Sequence, residues 1–196
     1  LENICLANIP NLKTYERNRL LHFVIVGGGP TGVELASEIC NFINEDMCNY
    51  NPKIKGSAKI TLIEGNELLT TFDKTLTQYA IQKLIKGGVY IKKAQVISID
   101  NNNIKLNDGS IIDYGLCVWS TGVETTKFIK NLNFKKHNSG RILVDDILRV
   151  YDNDKNKIID DIYAIGDVCI NERDKLPQLA QVAEQQGKFL AYYLNN

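Results

Sequence analysis

The sequence predicts an α/β fold: a parallel sheet flanked by helices, with an antiparallel β-meander inserted in it. Three observations carry this. Apolar, β-branched runs of strand length alternate with segments of helical period, as in βαβ units. A glycine-rich turn, Gly27-Gly28-Gly29-Pro30-Thr31-Gly32, joins the first such run to the first long helix. Between residues 96 and 112 the apolar period drops to two, interrupted by turns rich in Asn, Asp and Gly.

Residues 1–19 are mixed in character and end in Tyr15-Glu16-Arg17-Asn18-Arg19, which reads as a linker and a short helix. Residues 20–26, with Val24-Ile25-Val26 at their heart, read as a strand buried on both faces. Residues 33–46 place apolar side chains at 33, 35, 36, 39, 42 and 43, the spacing of a helix. A polar loop at 49–56 contains Pro52, and residues 59–64 form a second strand. Residues 75–86 are an amphipathic helix that Gly87-Gly88 stops, and 89–91 a third strand. The meander follows as strands at 96–99, 104–106 and 110–112, after which 116–119 is a buried strand closing on Ser120-Thr121-Gly122. Beyond Gly122 the chain changes: 124–138 is charged and loosely helical, 141–144 a strand and 151–161 polar. Residues 162–165 are a strand ending at Gly166-Asp167, and 176–194 a last helix led in by Pro177. One complete α/β unit is therefore expected at 20–122, and a fragment of another from 123 to 196.

Composition removes several classes of function. The 196 residues, 44% of them hydrophobic, suffice for one core and part of a second. Lys plus Arg and Asp plus Glu each total 23, so no general attraction to nucleic acid is expected. No apolar run approaches the roughly 20 residues that cross a bilayer. The chain lacks a secretory leader pattern, does not begin with Met, and is expected to be an internal piece of a longer one. Five cysteines (Cys5, Cys40, Cys48, Cys117 and Cys169) without a CxxC point to reduced thiols in an intracellular protein. The Asp152–Asn156 run opens like a calcium loop, but Lys157 and Tyr163 stand where Gly and Glu are needed, so it reads as a polar loop. His22 and His137 lack partners for a metal site, and Lys53, Lys55 and Lys59 read as a solvated face.

Gly27, Gly29 and Gly32 form GxGxxG with a strand before it and a helix after it, the context that makes this pattern a Rossmann-like dinucleotide-binding turn. The first glycine permits the turn, the second lets backbone approach a pyrophosphate, and the third lets helix and strand pack closely. The helix amides then stabilise the phosphates. Glu64, ending the second strand, is placed to bind ribose hydroxyls and to repel a 2′-phosphate, favouring NADH over NADPH. Glu34 and Glu38 lie one helical turn apart; Glu34 is a candidate neighbour of the nicotinamide, and Glu38 reads as a solvated acid.

The strings GGGPTGVE (27–34), WSTG (119–122), YAIGDV (163–168) and AQVAEQQG (180–187), in this order and spacing, resemble the type II (alternative) NADH dehydrogenases. These are flavoproteins with two dinucleotide-binding domains that pass electrons from NADH through FAD to a membrane quinone. The resemblance implies that 123–196 is the carboxyl-side part of an FAD-binding domain and 1–19 a linker from it. It implies that Gly166 and Asp167 hold the ribityl chain of FAD and that Thr121-Gly122 is the crossover beside the cofactors. In the helix opening at Ala180, the small Ala180 and Ala183 admit flavin and quinone, with Val182 beside them. Gln181 and Gln185, four apart on one face, are expected to donate to a quinone carbonyl. The family's first FAD fingerprint and its membrane-binding segment are expected outside this chain, which alone is not expected to hold FAD tightly. Implied partners are NADH, a quinone, a second copy of the protein, and peripherally the mitochondrial inner membrane, or the cytoplasmic membrane in a bacterium. Alternatives are a redox-sensing flavoprotein like apoptosis-inducing factor, a sulfide:quinone or ferredoxin reductase relative, and a bare NAD-binding module.

Overall fold

The structure, a computed structural model, describes residues 1–51, 54, 56–155 and 157–195. Pro52, Lys53 and Lys55 of the predicted loop and lysine face, and Asn156 of the calcium-like run, lie outside the described residues. The chain divides into two compact units, Leu1–Gly122 and Val123–Asn196.

In the first unit, strands β1 (His22–Val26), β2 (Lys59–Glu64), β3 (Val89–Lys93) and β7 (Leu116–Trp119) form a parallel sheet in the order β3-β2-β1-β7. Every residue of β1 is buried, which explains its unbroken apolar sequence. Helix α3 (Pro30–Asn41) starts three residues before the predicted 33, because Pro30 at its first position supplies the helical φ and needs no amide partner. It buries Gly32, Ala36 and Cys40, one stripe at four-residue spacing. The predicted continuation to 46 is not regular α-helix. The chain widens into a π-helical turn at Phe42–Met47, where the Cys48 amide reaches back to Ile43. A three-residue helical turn, α4 (Cys48–Tyr50), follows. Helix α5 (Lys74–Gly87) is capped by Asp73, which accepts the Thr75 amide at 2.8 Å, and stopped by Gly88 at φ 104°. Its end is tied to α3, since the Cys40 thiol donates to Gly87 O at 2.7 Å.

The helices bury one face of the sheet, with Ile25, Leu62, Ala36 and Leu84 at the centre. Against the other face, Ile104 and Leu106 of the meander pack on Val24, Val26 and Ile63. The meander is β4 (Val96–Ile99), β5 (Asn103–Leu106) and β6 (Ile111–Asp113), all antiparallel. Residues 1–19 are not a free linker. They form α1 (Glu2–Leu6) and α2 (Thr14–Leu20), Ile4 and Ala7 enter the core, and the Arg17 guanidinium donates to Ala7 O at 2.9 Å. Apolar Ile4 and Leu20 have enough area to bury, which the mixed composition concealed.

His22 is buried with its Nε2 2.8 Å from Thr61 Oγ1, as a structural side chain between strands. Burial, and then the charge of Lys59, push its imidazole below the ordinary value, so the folded protein holds it neutral. The unfolded chain takes up a proton as pH falls through about 6.5 while the folded chain does not. Stability is therefore complete above that pH and declines as pH drops below it, until the folded imidazole also titrates. The urea midpoint is expected to fall between pH 7 and pH 5, and less steeply in His22→Gln; equal slopes would remove His22 as the cause.

In the second unit, helix forms only at α6 (Lys127–Asn131) within the predicted 124–138; Phe134 and Lys136 instead make antiparallel bridges to Asp152 and Ile142. Strand β8 (Ile142–Leu143) pairs parallel with β11 (Cys169–Ile170). The predicted polar stretch 151–161 overlaps strand β10 (Ile158–Tyr163), antiparallel to β9 (Arg149–Tyr151). Most of β10 is exposed, so it carries no apolar alternation to announce it. Helix α7 (Ala180–Asn195) starts four residues after the predicted 176, since Pro177 holds Leu176 out of helical conformation. Val144, Val150, Ala164 and Cys169 centre this unit's core, with Leu190 of α7 against them.

Candidate functional site

The glycine turn lies at the carboxyl ends of β1, β2 and β7. Gly27 has φ 118°, and its amide donates to Ile63 O at 2.8 Å. A Cβ there would lie 2.2 Å from Ser120 O and 3.0 Å from Thr121 Cγ2, so Thr121 packs on the turn. A Cβ on Gly32 would lie 1.9 Å from Gly27 O, which requires glycine where α3 crosses the turn. At Gly29 a Cβ would meet nothing within 4 Å, so the chain is open on the side a phosphate would approach. The first-turn amides at Thr31 and Gly32 have no intrahelical acceptor. Pro30, Thr31 and Glu34 are exposed; the Glu34 carboxylate stands one turn beyond the glycines. Gly122, at φ 58°, ends the unit.

Glu64 is seated against this turn. Its Oε2 accepts the Gly28 amide at 2.6 Å and its Oε1 the Asn66 amide at 2.8 Å. A carboxylate offers about four lone-pair sites, so two backbone bonds fix it and two sites remain for hydroxyls. Gly28, Gly29, Pro30, Glu64, Asn66 and Thr70 line one groove. Its far wall was missed by the sequence analysis: Leu69 adopts φ 50° and donates its amide to Gly28 O at 2.8 Å. A bulky residue in this conformation carries no sequence signal.

In the second unit, Gly166–Val168 is a 3₁₀ turn with Gly166 at φ 73° and the Asp167 side chain exposed. Two glutamines not singled out from sequence hold it. Gln186 Oε1 accepts the Gly166 amide at 2.7 Å, and Gln178 Nε2 donates to Asp167 O at 3.0 Å. Ala180, Gln181 and Gln185 are exposed. Gln185 lines a cleft whose wall mixes apolar Val182, Phe189, Leu176 and Pro177 with charged Arg141, Asp145 and Asp174 and with the Gln186 amide; Gln181 lies outside that lining. Cys169, beneath the turn, is buried, and burial pushes its thiol up to about 11, so it stays protonated. All five cysteines are free, and among the described residues no cluster of His, Cys, Asp and Glu could hold a metal.

A four-stranded parallel sheet, a glycine turn opening its first long helix, and an acid hydrogen-bonded to that turn define a dinucleotide-binding α/β protein. The family model for the pyridine nucleotide-disulphide oxidoreductases matches residues 3–187, and the chain belongs to that family. It is 43% identical over 199 residues to the mitochondrial internal alternative NAD(P)H-ubiquinone oxidoreductase A1 of Solanum tuberosum, covering 100% of this chain and 39% of that protein. It is 39% identical over 191 residues to the mitochondrial external alternative NAD(P)H-ubiquinone oxidoreductase B3 of Arabidopsis thaliana, covering 93% and 32%. Among solved structures, the NDH2 of Plasmodium falciparum in complex with NADH superposes with a TM-score of 0.76 at 28% identity, over 87% of this chain and 36% of that one. The chain thus spans about two fifths of the length of the first of these relatives.

Proposed function

We propose that this chain is the NADH-binding domain, with the carboxyl-side part of the FAD-binding domain, of a type II NADH:quinone oxidoreductase. The observation that carries the reading is Glu64 locked onto Gly28: it sets an acid beside an open glycine turn, the arrangement that selects NADH. In this reading residues 20–122 bind NADH and residues 123–196 bind the ribityl end of FAD. The Thr31 and Gly32 amides receive the pyrophosphate. The free lone pairs of Glu64 accept the adenosine ribose hydroxyls, and its charge repels a 2′-phosphate. Glu34 stands toward the nicotinamide, and Thr121-Gly122 lets backbone approach the cofactors.

The second unit fits FAD at one end, because the rigidly held turn presents an exposed Asp167 carboxylate to accept hydroxyl protons. FAD, when bound, supplies the two-electron carrier between NADH and quinone. The Ala180 end of α7 offers amides to negative charge, and the Gln185 amide, on the cleft wall beside Val182 and Phe189, can donate to a quinone carbonyl. Gln181, exposed beside it, acts at the mouth. Membrane association is peripheral, through segments outside this chain, at the mitochondrial inner membrane, as the relatives' mitochondrial names support; the protein acts as a homodimer. Among the described residues no helix is long and apolar enough to cross a membrane. The test is an anaerobic titration of the full-length protein. NADH should bleach its yellow absorbance and a water-soluble quinone restore it; a flavin that NADH leaves oxidised would overturn the reading.

A further inference from the structure

The Gly166–Asp167 turn makes no strand pairing of its own, since β10 ends at Tyr163 and β11 begins at Cys169. The peptide groups around Asp167 are instead held by side chains, the Gly166 amide by Gln186 and the Asp167 carbonyl by Gln178. Gln186 reaches across 20 residues and is half-buried; its Oε1 also lies 3.9 Å from the Cys169 thiol, which donates to it. The close packing that lets it reach comes from Ala183, one turn earlier, whose Cβ would lie 3.5 Å from a Cβ placed on Gly166. Glycine at 166 supplies the positive φ of the turn and is conformationally permissive, so the bond from its amide to Gln186 is what fixes the peptide.

We infer that Gln186 is a positioning residue: by accepting the Gly166 amide it holds the turn in the one shape that points the Asp167 carboxylate at a flavin ribityl chain. This rests on the reading of Asp167 as an FAD ligand. Gln186 itself touches no cofactor in this account. It works through the backbone amide of Gly166, although it lines the same cleft as the adjoining Gln185.

The test uses full-length protein, stripped of flavin and titrated with FAD by fluorescence quenching, with melting temperatures of the apo and FAD-loaded forms. Gln186→Leu fills the same space without an acceptor and should weaken FAD binding about tenfold, as expected for losing one hydrogen bond that shapes the site. Gln186→Glu keeps an acceptor at the same reach and should restore wild-type affinity. If Gln186→Leu does not fold, Gln186→Ala, which removes the acceptor without adding apolar bulk, decides: FAD affinity about tenfold weaker supports the inference, and unchanged affinity overturns it. Equal falls in apo and loaded melting temperature with FAD affinity unchanged would show a purely structural bond and overturn the inference alone. A wild-type protein that takes up no FAD would overturn the ligand reading and the inference with it.

Discussion

Replacing Glu64 by glutamine in the full-length protein is expected to cut the preference for NADH over NADPH, as a ratio of kcat/KM values, by about ten- to a hundredfold. That range is what hydrogen bonds to a charged acceptor contribute, about 1.5–3 kcal/mol. Two effects add. The carboxylate loses the charge that repels a 2′-phosphate, and the ribose hydroxyls lose their strongest acceptor. A third effect is particular to this geometry. Both oxygens of Glu64 accept backbone amides, from Gly28 and from Asn66. Glutamine has one oxygen, so its NH₂ must face one of these amides, and either the glycine turn or the 66–71 loop is pushed away. The KM for NADH should therefore rise as well. An unchanged cofactor ratio would place the ribose elsewhere.

Gly32→Ala should be severely damaging. Its Cβ would fall 1.9 Å from the Gly27 carbonyl oxygen, a backbone atom that cannot rotate away, with Ile25 behind it at 3.5 Å. Helix α3 has to lift off β1, which disturbs the buried Ala36 and Cys40 and costs about 1–3 kcal/mol in overpacking. If the Thr31 and Gly32 amides receive the pyrophosphate as proposed, a displacement of that size should raise the KM for NADH by about a hundredfold. Gly29→Ala is the control. Gly29 has φ −72° and open space around its Cβ, so the variant should melt at the wild-type temperature or above it. It should still bind NADH poorly, because on the proposed reading the methyl occupies the side the phosphates approach. Equal loss of stability in both variants would contradict this assignment of roles to the two glycines.

Much of the first unit could be read from residue order because burial on both faces of a parallel sheet demands unbroken apolar runs. The strand at Lys59–Glu64, buried from Ile60 to Ile63, falls on its predicted residues for that reason; Leu116–Trp119 also falls on its predicted residues, but it is not the buried strand expected, since its two ends are exposed and its middle only half-buried. The second unit was harder. Strands of two or three residues, such as Arg149–Tyr151 and Cys169–Ile170, are too short to show a period. At the candidate site, the steric need for glycine at 27 and 32 and the place of Glu64 at the end of β2 were legible because both follow from fixed spacing. Gln186 was not, since consecutive glutamines look alike until helical phase is considered. The phase was nevertheless available: Ala183, Gln186 and Leu190 lie on one stripe of α7, and the structure turns that stripe inward. The tie between Leu69 and Gly28 had no signal at all, because it depends on a backbone conformation that leucine rarely adopts.

The most direct test of the central claim is steady-state oxidation of NADH by the full-length protein with a water-soluble quinone, with NADPH in parallel. Fast turnover that strongly prefers NADH is the predicted result. A protein that binds flavin and NADH yet reduces quinone negligibly would contradict the account, and would assign the glycine turn and the Gly166–Asp167 turn to a redox sensor.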